Sequence, residues 1–314
     1  MKAVRVRDHQ PVLESDAPEP VVRRGEAVVE IEAACVSHLD LQIARGEFSE
    51  QPPRPYVPGT DASGRVLVGD GVRPGERVWV RGGGVGVVRD GCWAERVGLP
   101  VEALHPLRED VDAVLAATFF VPCATAHSAL HDVGGLTAGE RVAVRGAGGA
   151  VGGVATQLAL AGGAGEVIAI LRSAEPPAVI PDGARVVVAA EPDELAGALA
   201  GSGIDLLIDT VGGEGLAACI PAMRPRGRIV LVGYVAGTRL ELDILALLTH
   251  DVSLLPLNGL SREAAMEALA DGWLDALVRH DLRLATTEYP PKRLEDALQA
   301  VGAGRSRGRV ALRF

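Results

Sequence analysis

The residues Arg145-Gly146-Ala147-Gly148-Gly149-Ala150-Val151-Gly152 join a short apolar run to an Ala- and Leu-rich one. Small side chains at this spacing let backbone N–H groups close on a phosphate. A tight bend needs residues without bulk. Close approach to a pyrophosphate needs an absent Cβ, which this pattern assigns to Gly149, and close packing of the next helix needs Gly152. That helix would point its positive end at the phosphates. A bare glycine loop between two elements is the other reading. The strands on either side favour a dinucleotide site over Gly146, Ala147, Gly148, Gly149, Ala150, Val151 and Gly152.

The kind of dinucleotide is decided about 20 residues on, where a carboxylate would bond a ribose 2′-hydroxyl and select NAD. Here the next strand ends Ile170-Leu171-Arg172-Ser173, and Glu175 comes later. Arg172 can pair with a 2′-phosphate and Ser173 can add a donor, so NADPH is the expected cofactor. The competing reading makes Arg172 an exposed surface arginine.

These residues need a scaffold. Arg141–Arg145, Glu166–Leu171, Arg185–Ala190, Ile204–Asp209 and Arg228–Val232 are short apolar runs. They read as strands buried on both faces. Val151–Ala161 lies between two of them as a helix, which implies right-handed crossovers in a parallel sheet. Upstream, residues 27–33 alternate, with Val29, Ile31 and Ala33 on one face and Glu30 and Glu32 on the other, a strand with one wet side. Residues 66–68 and 77–81 are further short strands among Gly and Pro clusters, as in a small irregular β barrel or sandwich. Asp112–Leu130 is Ala-rich and reads as buried helices; 262–278 and 291–301 read as helical; 309–314 is a last strand that rejoins the β region.

Composition narrows the class. The 314 residues carry 41 acidic and 31 basic side chains, a net charge of −10, which makes a nucleic-acid backbone an unsuitable main partner. No apolar run reaches the ~18–20 residues of a membrane span. Residues 1–10 alternate charge and Val with no signal-peptide core. The four cysteines, Cys35, Cys92, Cys123 and Cys219, are scattered, which suits a reduced cytoplasmic protein.

An ordered series of motifs resembles the medium-chain dehydrogenase/reductase superfamily, and its zinc-independent quinone oxidoreductase branch in particular. It runs from Met1-Lys2-Ala3 through Cys35-Val36-Ser37-His38-Leu39-Asp40, Arg45-Gly46 and Pro58-Gly59-Thr60-Asp61-Ala62-Ser63-Gly64. It continues through Gly75-Glu76-Arg77-Val78, Gly91-Cys92-Trp93-Ala94-Glu95 and the 146–152 bend. It ends with Asp205–Gly213, Gly227–Gly233 and Gly308-Arg309-Val310. The resemblance implies an α/β protein: a GroES-like β domain over 1–122, completed by 257–314, and a Rossmann doubly wound parallel sheet domain over 123–256. It implies an active site in the cleft and a homodimer.

The resemblance also implies where zinc ligands would stand: at Ser37, at Thr60-Asp61 and near Val121. A hydroxyl, a hydroxyl beside a carboxylate and an aliphatic group make no zinc site, so no metal is expected. Cys35 and Cys123 read as packing residues. Without a metal, hydride transfer to an electron-poor quinone or α,β-unsaturated carbonyl is the easier chemistry, because the conjugated carbonyl spreads the developing charge. The expected activity is therefore NADPH-dependent reduction of such a small molecule. The alternatives are a pathway-specific enoyl or ketone reductase of secondary metabolism and a non-catalytic NADPH-binding sensor.

The site residues follow. Thr125, in Ala124-Thr125-Ala126, matches a Thr that contacts the nicotinamide side in the family, or else bonds its own helix backbone. His38 and His127 are candidate proton donors or polarising groups, or structural histidines. Asp40 is read as a helix cap and Asp61 as a cleft carboxylate or turn residue. Val232-Gly233 and Leu257-Asn258 are implied to border the nicotinamide carboxamide. Phe48 stands where many relatives carry Tyr, and Ala174-Glu175-Pro176-Pro177 stands where many carry a Lys beside the 2′-phosphate. Phe48, Tyr56 and Trp93 shape a pocket or fill the β core.

Overall fold

A computed structural model describes residues 1–48, 50–175, 177–303 and 308–314. The chain divides into two compact units, one made of residues 1–120 with 286–314 and the other of 121–285. The split is α/β throughout, with a GroES-like unit outside and a Rossmann-like unit inserted. Residues 257–285, expected to rejoin the β unit, stay with the parallel sheet unit. Among the ties to that unit, the Gln157 side chain bonds the backbone N–H and C=O of Arg283 at 2.8 Å each.

The β unit contains β1 (Ala3–Arg7), β2 (Gln10–Glu14), β3 (Glu26–Val36), β4 (Ala62–Gly69), β5 (Arg77–Val80), β6 (Arg96–Pro100) and β7 (Leu104–Pro106). It is completed by β14 (Thr286–Tyr289) and β15 (Arg309–Arg313). One sheet runs β14-β15-β3-β4-β5-β7, with β6 also on β3, and β1 and β2 form a hairpin. β3, 11 residues long, pairs with β4, β6 and β15, and its register breaks twice against β4. Ala27, Val29 and Ile31, then Ala34 and Val36 beyond the second break, share a core with Trp93, Leu99 and Leu312, while Ala33, expected on the face of Val29 and Ile31, packs instead against Ala113 and Ala117. The last strand does rejoin this region: Val310 to Arg313 pair antiparallel with Val36 to Ala33. Helices α1 (His38–Arg45), α2 (Ala113–Thr118) and α9 (Leu294–Gly302) pack on the sheet.

The inserted unit holds β8 (Arg141–Arg145), β9 (Glu166–Leu171), β10 (Arg185–Val188), β11 (Ile204–Asp209), β12 (Met223–Leu231) and β13 (Ser253–Pro256). All are parallel, in the order β10-β9-β8-β11-β12-β13. The order reverses direction between β8 and β11, the place where open α/β sheets bind ligands. β8, β9 and β11 are buried on both faces, as their apolar runs require. β10 is not: it is the edge strand, and Val186 and Val188 face solvent. The remaining helices are α3 (Phe120–His127), α4 (Ala150–Ala161), α5 (Pro192–Leu199), α6 (Ile244–His250), α7 (Glu263–Met266) and α8 (Ala270–Val278). The helix expected over 262–278 is thus broken in two, with a 3-10 turn over Glu267–Leu269 between the halves. Among the described residues no helix is long and apolar enough to cross a membrane.

Candidate active site

The parallel sheet gathers the predicted cofactor residues at one edge. Arg145, the last residue of β8, is in register with Asp209 of β11 and Ile170 of β9; Asp209 is in register with Leu231, and Leu231 with Pro256. That row is the carboxyl end of the sheet. Every predicted cofactor segment starts at or just past it: Gly146–Gly152, Arg172-Ser173, Val232-Gly233 and Leu257-Asn258. The agreement is geometric, because parallel strands of matched register must all empty onto the same side.

The bend after β8 needs its glycines, with roles that differ in one detail from the expectation. Gly146 has φ +80°, and a Cβ on it would overlap the Thr210 hydroxyl. A Cβ on Gly152 would overlap the Gly146 carbonyl oxygen, so this glycine packs against the bend itself. Gly149 caps α4 with extended backbone, φ −83° and ψ 174°, and a Cβ there meets the protein only at the Gly146 carbonyl, 3.4 Å away. The space beside Gly149 is therefore open. The first N–H groups of α4 have no acceptor within the helix. A cradle that only missing Cβ atoms keep clear, at the head of a 12-residue helix, fits a dinucleotide pyrophosphate.

The bend is tied down from both sides. The amides of Gly146 and Ala147 reach the Ile170 carbonyl at 3.2 Å, which fixes the bend against β9. Arg172 and Ser173 follow β9 directly and are exposed. A Cβ on Gly148 would touch Leu171 at 3.4 Å, so the Arg172 segment borders the bend. Pro176, in the segment expected to lack a second basic residue, lies outside the described residues. On the other side Arg145 donates to Asp209 at 3.1 Å and to the Gly212 carbonyl at 2.8 Å. Burial raises the Asp209 carboxyl above the usual range, opposed by Arg145 and by the amides of Val211 and Gly212.

Thr125 and His127 part company. The Thr125 hydroxyl lies 3.7 Å from where a Cβ on Gly259 would stand, which brings it to the Leu257-Asn258-Gly259 turn. Thr118 and Thr156 bond the carbonyls four residues back; among the described residues Thr125 makes no such bond. His127 is two residues on, about 200° around the helix. Its ring stacks obliquely on His131 at 4.6 Å and approaches Trp273 of α8 at 5.9 Å. Loss of hydration, then the neighbouring His131, hold its imidazole below the usual histidine range. The structure does not bring His127 to Thr125.

In the β unit, Ser37 rather than Asp40 is the N-cap of α1. Asp40 is its partner three residues on, accepting from the Ser37 hydroxyl at 2.6 Å and the Ser37 amide at 2.8 Å. Asp40 also accepts the Thr60 amide at 3.0 Å. His38 opens α1 and is solvent-exposed; loss of hydration, then Arg309 and Arg45, lower its pKa. Asp61 is no turn residue. It is buried, accepts from Arg81 at 3.0 Å and from the Thr60 hydroxyl at 3.0 Å, and has Arg309 at 3.8 Å. Trp93 and Tyr56 are core residues: the Trp93 indole donates to the Cys35 carbonyl, and Phe48 packs on the cluster around Tyr56.

Against this geometry the comparisons are specific. Residues 150–271 match the zinc-binding dehydrogenase family and residues 23–109 the alcohol dehydrogenase GroES-like domain. Rat quinone oxidoreductase is 30% identical over 230 residues, 70% of this chain and 68% of that protein. The mouse quinone oxidoreductase is 30% identical over 232 residues, with the same shares covered. The chain belongs to the medium-chain dehydrogenase/reductase superfamily. It is an oxidoreductase of that superfamily. Among solved structures, an alcohol dehydrogenase superfamily protein from Novosphingobium aromaticivorans has TM-score 0.82 at 28% identity, covering 100% of this chain and 99% of that one. A mycobacterial protein complexed with NADPH has TM-score 0.84 at 24% identity, covering 100% of each chain, and it shares the fold.

Many members of the superfamily take a zinc ion, as the name of the first matching family states. The residues at the corresponding positions do not fit one. The Ser37 hydroxyl is spent on Asp40, the Thr60 hydroxyl is spent on Asp61, and Asp61 is held by guanidinium groups that would repel a dication. Among the described residues no group of three His, Cys, Asp or Glu side chains could hold a metal ion. Arg81, Arg145 and Arg309 were not singled out from sequence as site residues. The signal was present for the first two: an arginine closing an otherwise apolar strand has to find a buried anion.

Proposed function

We propose that this superfamily member is an NADPH-dependent, zinc-independent reductase of quinones or α,β-unsaturated carbonyls. One observation carries the reading. Arg145, Asp209, Leu231 and Pro256 share a register row, and the glycine bend, the Leu257-Asn258-Gly259 turn that Thr125 approaches and Arg172 all border the edge that the row defines.

The bound nicotinamide supplies a hydride at its C4. The chain does the rest by holding and orienting. The N-terminus of α4 takes the pyrophosphate beside Gly149, and Arg172 with Ser173 takes the 2′-phosphate. The amides of Val232, Gly233 and Leu257 are spent inside the sheet, at 2.9, 3.1 and 3.0 Å. Contact to the carboxamide from these residues is therefore made through carbonyl oxygens. The Thr125 hydroxyl is the side-chain donor on this side. Charge on the acceptor's oxygen is spread by conjugation, so positioning is the main requirement and no Lewis acid is called for.

Two further features belong to this reading. The four thiols are free and buried, which supports a reducing cytoplasmic setting. β13 is an edge strand, and Ile244, Leu245 and Leu248 of neighbouring α6 are 69%, 70% and 73% exposed, which supports a second copy as partner. The deciding experiment mixes the purified chain with NADPH and a panel of quinones, enones and simple alcohols, and follows reduced-nicotinamide absorbance. Oxidation of NADPH by quinones or enones, unaffected by a zinc chelator, is the expected result. Tight cofactor binding with no oxidation by any acceptor would sink the proposal.

A further inference from the structure

We propose that His127 and His131 form a two-imidazole binding site for a divalent transition-metal ion, Cu(II) above the others. The site is independent of the oxidoreductase reading. The chain continues from α3 straight into a π-helical turn over Ser128–Val133. Residues 127 and 131 therefore stay on one helical stretch, one turn apart. Their ring centres are 4.6 Å apart and the planes are inclined at 51°. Both side chains are only partly buried.

The spacing matches what a chelate needs. A metal–imidazole bond of about 2.0–2.1 Å puts a ring centre about 3.2 Å from the ion. Two such rings at a right angle about the ion lie about 4.5 Å apart, and at the tetrahedral angle about 5.2 Å apart. The observed separation of 4.6 Å is compatible with both rings facing one ion. Imidazole nitrogens suit Cu(II), Ni(II) and Zn(II), and Cu(II) is the strongest binder of the series. The Asp132 carboxylate adds negative field at His127. Solvent would fill the other ligand positions, since no three-donor group is found among the described residues.

Trp273 gives the readout, because its ring is 5.9 Å from His127. The chain is titrated with Cu(II), following tryptophan fluorescence and binding heat. The expected result is saturable quenching with one equivalent bound. Loss of even an outer partner weakens a metal site 10–100-fold, so His131→Gln and His127→Gln should each weaken binding by at least about tenfold. Trp273→Phe should remove the quenching while the binding heat remains. The proposal is overturned by no binding, by binding as tight as the wild type's in either histidine variant, or by quenching undiminished in Trp273→Phe.

Discussion

Arg145 and Asp209 stand side by side at the carboxyl ends of the two strands between which the parallel sheet reverses direction, joined by an ion pair of 3.1 Å. The pair links two turns. Gly146 follows one partner, while the other holds the amides of Val211 and Gly212 at 3.2 and 3.0 Å. The glycine bend and the 210–213 turn are thus anchored to one buried charge pair.

Arg145→Met leaves the Asp209 carboxylate buried without its cation. Breaking a buried pair from one side costs about 3–5 kcal/mol. A drop of that size in unfolding free energy, with weakened NADPH binding in the folded fraction, is expected from denaturant titration and cofactor titration. Wild-type stability in this variant would mean that the pair anchors nothing.

The glycine bend separates stability from affinity. Gly152→Ala forces a Cβ into the Gly146 carbonyl and should destabilise the chain by about 1–3 kcal/mol, as overpacking does. Gly149→Ala meets only ordinary contact and should cost only what a poorer helix cap costs, about 0.5–1 kcal/mol. Its Cβ should instead reduce dinucleotide affinity. Thermal melts beside binding isotherms for the two variants check the split; equal melting losses would contradict it.

Arg172 should govern cofactor choice. A hydrogen bond to a charged group contributes about 1.5–3 kcal/mol, so Arg172→Ala should lower NADPH affinity by about 10–150-fold. NADH affinity should hardly move. A matched fall for both cofactors would reduce Arg172 to a general surface charge.

Stability should also depend on pH through His127. Its folded-state pKa lies below the ordinary histidine value of about 6.5, so the unfolded chain takes up the proton first. Below that value the unfolded state binds more protons, and stability falls as pH drops until the folded pKa is passed. Melting temperatures measured between about pH 7 and pH 5 should decline in the wild type and decline less in His127→Gln. Equal slopes would dismiss the effect.

Much of this was legible in the residues. The runs 141–145, 166–171 and 204–209 are strands at those limits, because a strand buried on both faces shows as a short apolar run, and runs of five or six residues are too short for a buried helix. The bend at 146–152 was legible for the same local reason. The run Arg185–Ala190 reads as buried on both faces, but its strand, Arg185–Val188, lies at an edge, because strand order is a long-range property. The chain returns at 286 instead of 257, and the contacts that go with this, such as Gln157 with Arg283, join residues far apart in sequence that no local pattern encodes. The Asp61–Arg81 pair joins residues 20 apart at the ends of neighbouring strands, and the sequence showed only that each was charged. Thr125 and His127 looked equivalent in a one-letter string; helical phase separates them.

The placement of β15 between β14 and β3 bears on how the molecule is made. On a ribosome residues 1–120 emerge before residues 121–285, and the strand that seals their sheet emerges only after both. The inserted unit has all its segments in hand by residue 285 and can condense first. Residues 1–120 must then wait, with the 33–36 stretch of β3 unzipped on one side, until residues 309–313 have emerged. A unit interrupted in the chain cannot close before the unit that interrupts it has been made.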